Sequence, residues 1–162
     1  MVSFHWQPEP DIEQTAALWA QLSSQIETTL FLSEAWIITW LKSYQRLDWL
    51  LSIKLDGEII ALGLFCKQAH RRSFGFHSNV LHLQAVGVPA YDQIWPEYNG
   101  LLCSEEHKAL IYPRLVQQVF DFHQSVDELD MGLITEQSLQ RLVNDNGAVS
   151  YTHLTLPTIY SV

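Results

Sequence analysis

The chain has 162 residues, 48% of them hydrophobic and 17% charged, which suits one domain with its own core and excludes wholesale disorder. Nine Lys and Arg against eighteen Asp and Glu give a formal charge of −9. That balance excludes nucleic acid and anionic membrane as default partners, because both require a cationic surface. Cys66 and Cys103 form no CxxC pair and no zinc spacing, so they are expected as buried reduced thiols in a reducing cytoplasm. No apolar run approaches the ~20 residues of a membrane span, and Met1–Trp6 does not read as a signal peptide.

Phe4-His5-Trp6 reads as a short edge strand, stopped by Pro8 and Pro10. Asp11 is placed to cap a helix in which Ile12, Ala16, Leu18, Trp19 and Leu22 form one apolar face. Ser33 is the natural N-cap of a second helix, with Phe31 or Leu32 as its hydrophobic staple. Trp36, Ile37, Trp40, Leu41 and Tyr44 recur along it, as a stripe for packing on a sheet or as a tryptophan cage for a ligand. Two apolar runs, Leu50 to Leu55 and Ile59 to Cys66, flank Asp56-Gly57-Glu58, a strong hairpin signal. Gln68 to Asn79 is polar and basic and reads as a loop. Val80 to Val86 reads as a strand, and Tyr98 to Leu102 as a short strand interrupted by turn residues. Ser104, followed by Glu105 and Glu106, opens a helix carrying Leu110, Leu115, Val116, Val119 and Phe120. Asp130 to Ile134 reads as a buried strand and Ser138 to Val143 as the start of another helix. This order describes an α/β fold, a sheet with helices packed on it.

Three groups of residues bear on chemistry. Arg72 and Gly75 stand in Arg-x-x-Gly spacing, which suits a loop holding a pyrophosphate or simply a solvated basic loop between strands. The seven histidines are scattered and show no metal-ligand spacing, so no metal is expected. Tyr91-Asp92 through Glu97-Tyr98-Asn99 is the most site-like stretch, with aromatic and polar residues interleaved in an irregular segment. Glu97 and Tyr98 are the candidate catalytic pair, a carboxylate beside a phenol for proton transfer. Tyr91, Asp92 and Asn99 are the candidate substrate-binding residues. The other reading of this stretch is a packed loop plugged by Trp95, with a turn at Asn99-Gly100. No Gly-x-Ser-x-Gly elbow, Walker A loop, HExxH or dinucleotide GxGxxG occurs.

Val149 to Thr158, VSYTHLTLPT, is identical to the one-frame translation of a transposon adapter used in sequencing libraries. Residues 149–162 are therefore expected to be an adapter-derived tail, with residues 1–148 the genuine lobe, truncated at its C-terminus.

The chain resembles GNAT-like acetyltransferases associated with bacterial cellulose and exopolysaccharide clusters, with Fem-type aminoacyl transferases as more distant relatives. The resemblance rests on Thr29-Leu30-Phe31-Leu32-Ser33-Glu34-Ala35-Trp36 with Trp40, on the hairpin around Asp56-Gly57, and on Tyr91-Asp92 to Leu102. It implies a GNAT-like mixed sheet flanked by helices, forming the first half of a protein of about twice this length. It also implies acetyl-CoA or another acyl-CoA as co-substrate, touching Arg72 and Gly75, and a small-molecule or glycan-precursor acceptor. His77 stands where the acetyl-CoA loop pattern wants Gly or Ala, and that pattern also wants a helix directly after the loop. The fragment alone is expected to be inactive; the rival reading is a docking module without catalysis.

Overall fold

The structure is a computed structural model that describes residues 1–72, 75–93 and 96–143. Five strands form one sheet in sequence order, β1 (Val2–Pro8), β2 (Trp49–Leu55), β3 (Glu58–Arg71), β4 (His77–Leu83) and β5 (Glu128–Asp130). The first four are antiparallel to their neighbours, and β5 runs parallel to β4. Among the described residues four α-helices, α1 (Ile12–Ser23), α2 (Glu34–Tyr44), α3 (Glu105–Phe122) and α4 (Glu136–Val143), connect or follow the strands.

The local signals act as chemistry requires. Asp11 Oδ1 accepts the Gln14 N–H at 2.8 Å and starts α1. Ser33 and Ser104 cap α2 and α3 in the same way, and the Phe31 ring meets Trp36 edge-on at 4.8 Å across the start of α2. Asp56 and Gly57, both at positive φ, turn β2 into β3. Helix α3 runs through Pro113, because burial of Ile111, Tyr112, Leu115 and Val119 outweighs the lost hydrogen bond.

Alternation along the strands divides the core in two. Leu50, Leu62, Leu64 and Leu102 face α1 and α2, and pack on Trp19, Leu22, Ile37 and Leu41. Leu51, Ile53, Phe65, Leu81 and Leu83 face α3 and α4, and pack on Ile111, Tyr112, Leu115 and Leu142. The two cysteines are buried free thiols, each pushed up to about 12 by burial.

Several strand limits differ from those expected: the strand over Val80 to Val86 ends at Leu83, and Tyr98 to Leu102 forms no strand among the described residues, with isolated bridges only at Glu97 and Leu102. Gln68 to Asn79 is not a loop throughout, since β3 continues to Arg71 and pairs with β4 from His77 onward. Both faces are polar there, so backbone pairing extends the hairpin without hydrophobic alternation. The strand expected over 130–134 ends at Asp130, and Gly132 follows at φ +65°.

At the outer end of the second core, His123 sits edge-on to Trp6 at 4.5 Å and to Trp49 at 4.7 Å. Its Nε2 is buried with no hydrogen-bond partner among the described residues. Burial, reinforced by Lys67, lowers its pKa to about 4 from an ordinary 6.5. The unfolded chain therefore takes up this proton from about pH 6.5 downward, while the folded state resists it. The contribution is complete above pH 6.5 and is lost as pH falls towards 4, up to about 3 kcal/mol at ~1.4 kcal/mol per pKa unit. Urea midpoints are expected to fall between pH 7 and pH 4, and His123→Phe to flatten that fall. Equal slopes in the two proteins would contradict the assignment.

Candidate functional site

Strand β4 is interrupted, and the interruption builds the site. Phe65 pairs with Leu83, so an unbroken register would set Val86 opposite Leu62. Leu102 stands there instead, exchanging both backbone hydrogen bonds with Leu62 at 2.9 and 3.1 Å. The chain leaves the sheet after Gln84 and rejoins it at Leu102, just before Ser104 opens α3. All five residues of the Tyr91–Asn99 stretch singled out from sequence lie on this excursion.

Its outgoing limb is folded around Asp92. The carboxylate accepts the N–H groups of Val86 at 3.0 Å, Gly87 at 2.6 Å and Val88 at 3.0 Å. Tyr91 is 56% exposed, its ring lies 5.4 Å from Tyr44, and its carbonyl accepts the Tyr44 hydroxyl at 2.8 Å. The returning limb runs beside the residues after β5. Glu97 bridges to Leu133, and the Asn99 N–H donates to the Leu133 carbonyl at 2.9 Å. Asn99 is buried, and its amide nitrogen donates to the carbonyls of Leu83 at 2.9 Å and Met131 at 3.0 Å. Between them Tyr98 adopts φ +58°, with 59% of its surface exposed. Glu97 and Tyr98 thus share an exposed ridge, whereas Asp92 and Asn99 hold the limbs that carry Tyr91 and Tyr98. Trp95 lies outside the described residues, as does the tail from 149 to 162.

Arg72 and Gly75 lie elsewhere, in the β3–β4 connection. Arg72 pairs with Glu128 at 2.5 Å and donates to Ser78 at 2.9 Å. A strand, not an α-helix, follows Gly75. The helix after the interrupted strand begins Ser104-Glu105-Glu106. Glu105 is held below the ordinary carboxylate range by Lys108 at 2.5 Å and by Arg141 at 3.3 Å. Glu105 is thus compensated by its partners, while Glu106 beside it adds a negative charge that disfavours a phosphate at this turn.

The sheet face carrying α1 and α2 continues beyond them as a polar strip. His82 of β4 sits on it, 7% exposed, with both ring nitrogens engaged. Nδ1 lies 2.9 Å from Asp130 Oδ2 on β5, and Nε2 lies 3.0 Å from His70 Nε2 on β3. Gly87 lies on the His82 ring, where a Cβ would come within 2.5 Å, and its φ is +79°. The ring bond holds Asp130 below the usual carboxylate range, helped by the Gly132 N–H at 2.8 Å. Sequence reading missed this cluster. His70, His82 and Asp130 are distant in sequence, and only the strand register places them on one face. A shallow groove at the opposite end of β3, lined by Leu18, Gln21, Leu22, Gln25, Glu58 and Ile59, carries one carboxylate and no comparable cluster.

No protein-family model and no curated protein matches the sequence. Among solved structures, a ribosomal-protein-alanine N-acetyltransferase from Brucella melitensis biovar Abortus 2308 superposes with a TM-score of 0.52 at 14% identity, over 94% of each chain. A glucosamine-6-phosphate N-acetyltransferase from Arabidopsis thaliana gives 0.47 at 10% identity, over 98% of this chain and 99% of that one. The first likeness fixes the class of fold. The chain has the mixed α/β architecture of GNAT-type N-acetyltransferases, a five-stranded sheet with helices on both faces. No helix among the described residues is long and apolar enough to cross a membrane.

Asn99→Ala strands two interior carbonyls, and a loss of about 2–6 kcal/mol is expected at ~1–3 kcal/mol for each unsatisfied group. Gly87→Ala must both move His82 and adopt a left-handed backbone, so it should lower the melting temperature by several degrees. Thermal unfolding checks both. An Asn99→Ala protein as stable as the parent would contradict the bridging role.

Proposed function

We propose that this chain is the acceptor-side lobe of a GNAT-type acyltransferase. The reaction class is transfer of an acyl group from coenzyme A, or an aminoacyl group from a carrier, to an amine or hydroxyl. A glycan precursor of polysaccharide or cell-envelope metabolism in the cytoplasm is the proposed acceptor. In this reading residues 1–148 are the lobe and 149–162 an adapter-derived tail. The donor is held by a C-terminal half of the same protein, in keeping with the two carboxylates at the start of α3.

Tyr98 carries the proposal. Left-handed backbone is costly for a bulky residue, and the Tyr98 ring is exposed, so packing does not account for it. A strained, exposed aromatic beside the Glu97 carboxylate is what an acceptor contact requires. Tyr91 and Tyr98 offer ring faces to a sugar, and Glu97 offers an acceptor for its hydroxyl or ammonium hydrogens. The chemistry asked of the lobe is positioning, with proton transfer assisting.

Backbone amide NMR with glucosamine and with N-acetylglucosamine as the added sugars tests this reading. Shifts are expected at Tyr91, Glu97 and Tyr98, and Glu97→Gln or Tyr98→Phe should weaken binding about tenfold, the worth of one hydrogen bond. Tyr98→Gly should abolish binding while raising stability by about 1 kcal/mol through relief of strain. Unmoved resonances at these residues, or unchanged affinities, would refute the proposal. The second reading, a docking lobe, is favoured by the acidic start of α3. It predicts no sugar shifts and self-association in sedimentation.

A further inference from the structure

We propose that Asp130, His82 and His70 form a directional proton relay whose outer end, Nδ1 of His70, takes the proton from the acceptor's amine or hydroxyl. The identity of the proton donor rests on the acyl-transfer reading; the relay itself does not.

The direction follows from the partners. Asp130 is ionised, and a carboxylate only accepts. Its Oδ1 takes the Gly132 N–H, so Oδ2 takes a proton from His82, and Nδ1 of His82 must carry that proton. In the neutral ring Nε2 then presents a lone pair, and it faces Nε2 of His70 at 3.0 Å. Two lone pairs cannot face each other at that distance, so His70 is the donor and its Nδ1 is bare. The ring centroids are 5.2 Å apart, close to the end-on limit for a 3.0 Å contact, so a single proton between the rings fits the geometry. Gly87 covers His82, and His70 is only half-buried, so His70 is the outlet.

The charges around the pair keep it ready. The charged groups facing His70 are Arg72, just past β3, and Glu128 on β5, which are paired with each other, together with Asp130. Burial first, reinforced by Arg72, holds His70 below the ordinary histidine range, so the neutral ring predominates at pH 7. Beneath His82, the Cys66 thiol is neutral and Gln68 is uncharged. When a proton arrives at His70 Nδ1, the His70 Nε2 proton passes to His82 Nε2, and the imidazolium so formed faces the Asp130 carboxylate. The trio goes from one negative charge to none, and the acceptor's lone pair is freed for attack. The histidine–carboxylate half of this arrangement is the logic that orients a catalytic base in hydrolytic triads. By contrast, His123 is equally enclosed but has no partner at Nε2, and it serves only as a buried ring.

Diethyl pyrocarbonate, which acylates bare ring nitrogens open to solvent, tests the relay on the whole chain with mass-spectrometric mapping. At about pH 5.5, where an ordinary histidine is mostly protonated, His70, held below the ordinary range by burial, is expected to react faster than exposed His77. Asp130→Asn removes the acceptor that fixes both tautomers, so His70 should fall to the rate of His77 or below. Nitrogen NMR of the rings should find bare Nε2 on His82 and bare Nδ1 on His70 in the parent protein only. Asp130 is half-exposed, so its variant should melt within a few degrees of the parent; His82→Gln is the second variant, with the same expected loss at His70. A His70 no faster than His77, or rates and tautomers unchanged by Asp130→Asn, would overturn the relay. These readouts use no sugar and no acyl donor. Their failure leaves the acceptor-lobe reading standing, and failure of the sugar titrations leaves the relay standing.

Discussion

Beyond the short β4–β5 ladder, the carbonyls of Leu83 and Met131 face the interior with no strand opposite them, and the Asn99 amide donates to both. Much else in this end of the molecule follows from that bridge. It draws the returning limb of the excursion against Leu133, which puts Glu97 at the surface and forces the reversal at Tyr98. It also brings Leu102 to the edge of β3, so that Ser104 can start α3 over the second core. Gly132 has no side chain to crowd the bridge, since a Cβ there would lie 3.1 Å from the Asn99 amide nitrogen. A buried amide of this kind is worth far more satisfied than left with one partner missing.

The second constraint is the unequal cover of the sheet. Helices α1 and α2 are short and seat on the leucines of β2 and β3. The rest of that face is left to a loop, and a loop cannot exclude water as a helix does. A polar strip is tolerated there because its groups satisfy one another. Arg72 meets Glu128 and Ser78, and His82 meets Asp130 and His70. The opposite face, under α3 and α4, holds the aromatic cluster of Trp6, Trp49, Phe65 and Phe122 instead.

Much of the fold was legible in the sequence, because its signals are local. Asp11, Ser33 and Ser104 announce helices through side-chain caps, and Asp56-Gly57 announces a hairpin through backbone preference. The α/β layering follows from their order. What was not legible depends on register. The extension of β3 and β4 past Gln68 has no apolar alternation to betray it, and the break in β4 appears only when Leu102 is found opposite Leu62. The Tyr91–Asn99 stretch stood out by composition, yet composition does not separate the exposed Glu97 and Tyr98 from Asn99, which is inside. His70, His82 and Asp130 look unrelated along the chain, since pairing across three strands is a tertiary fact.

The chain has the GNAT-type sheet, and the proposal to test first is that it holds no acyl donor of its own. Isothermal titration of the chain with coenzyme A tests it most directly. The account predicts no binding tighter than about millimolar, equivalent to roughly −4 kcal/mol, because Glu105 and Glu106 occupy the first turn of α3 and Arg72 is paired with Glu128. One-to-one binding at micromolar concentration would contradict it and make this chain the donor-binding unit.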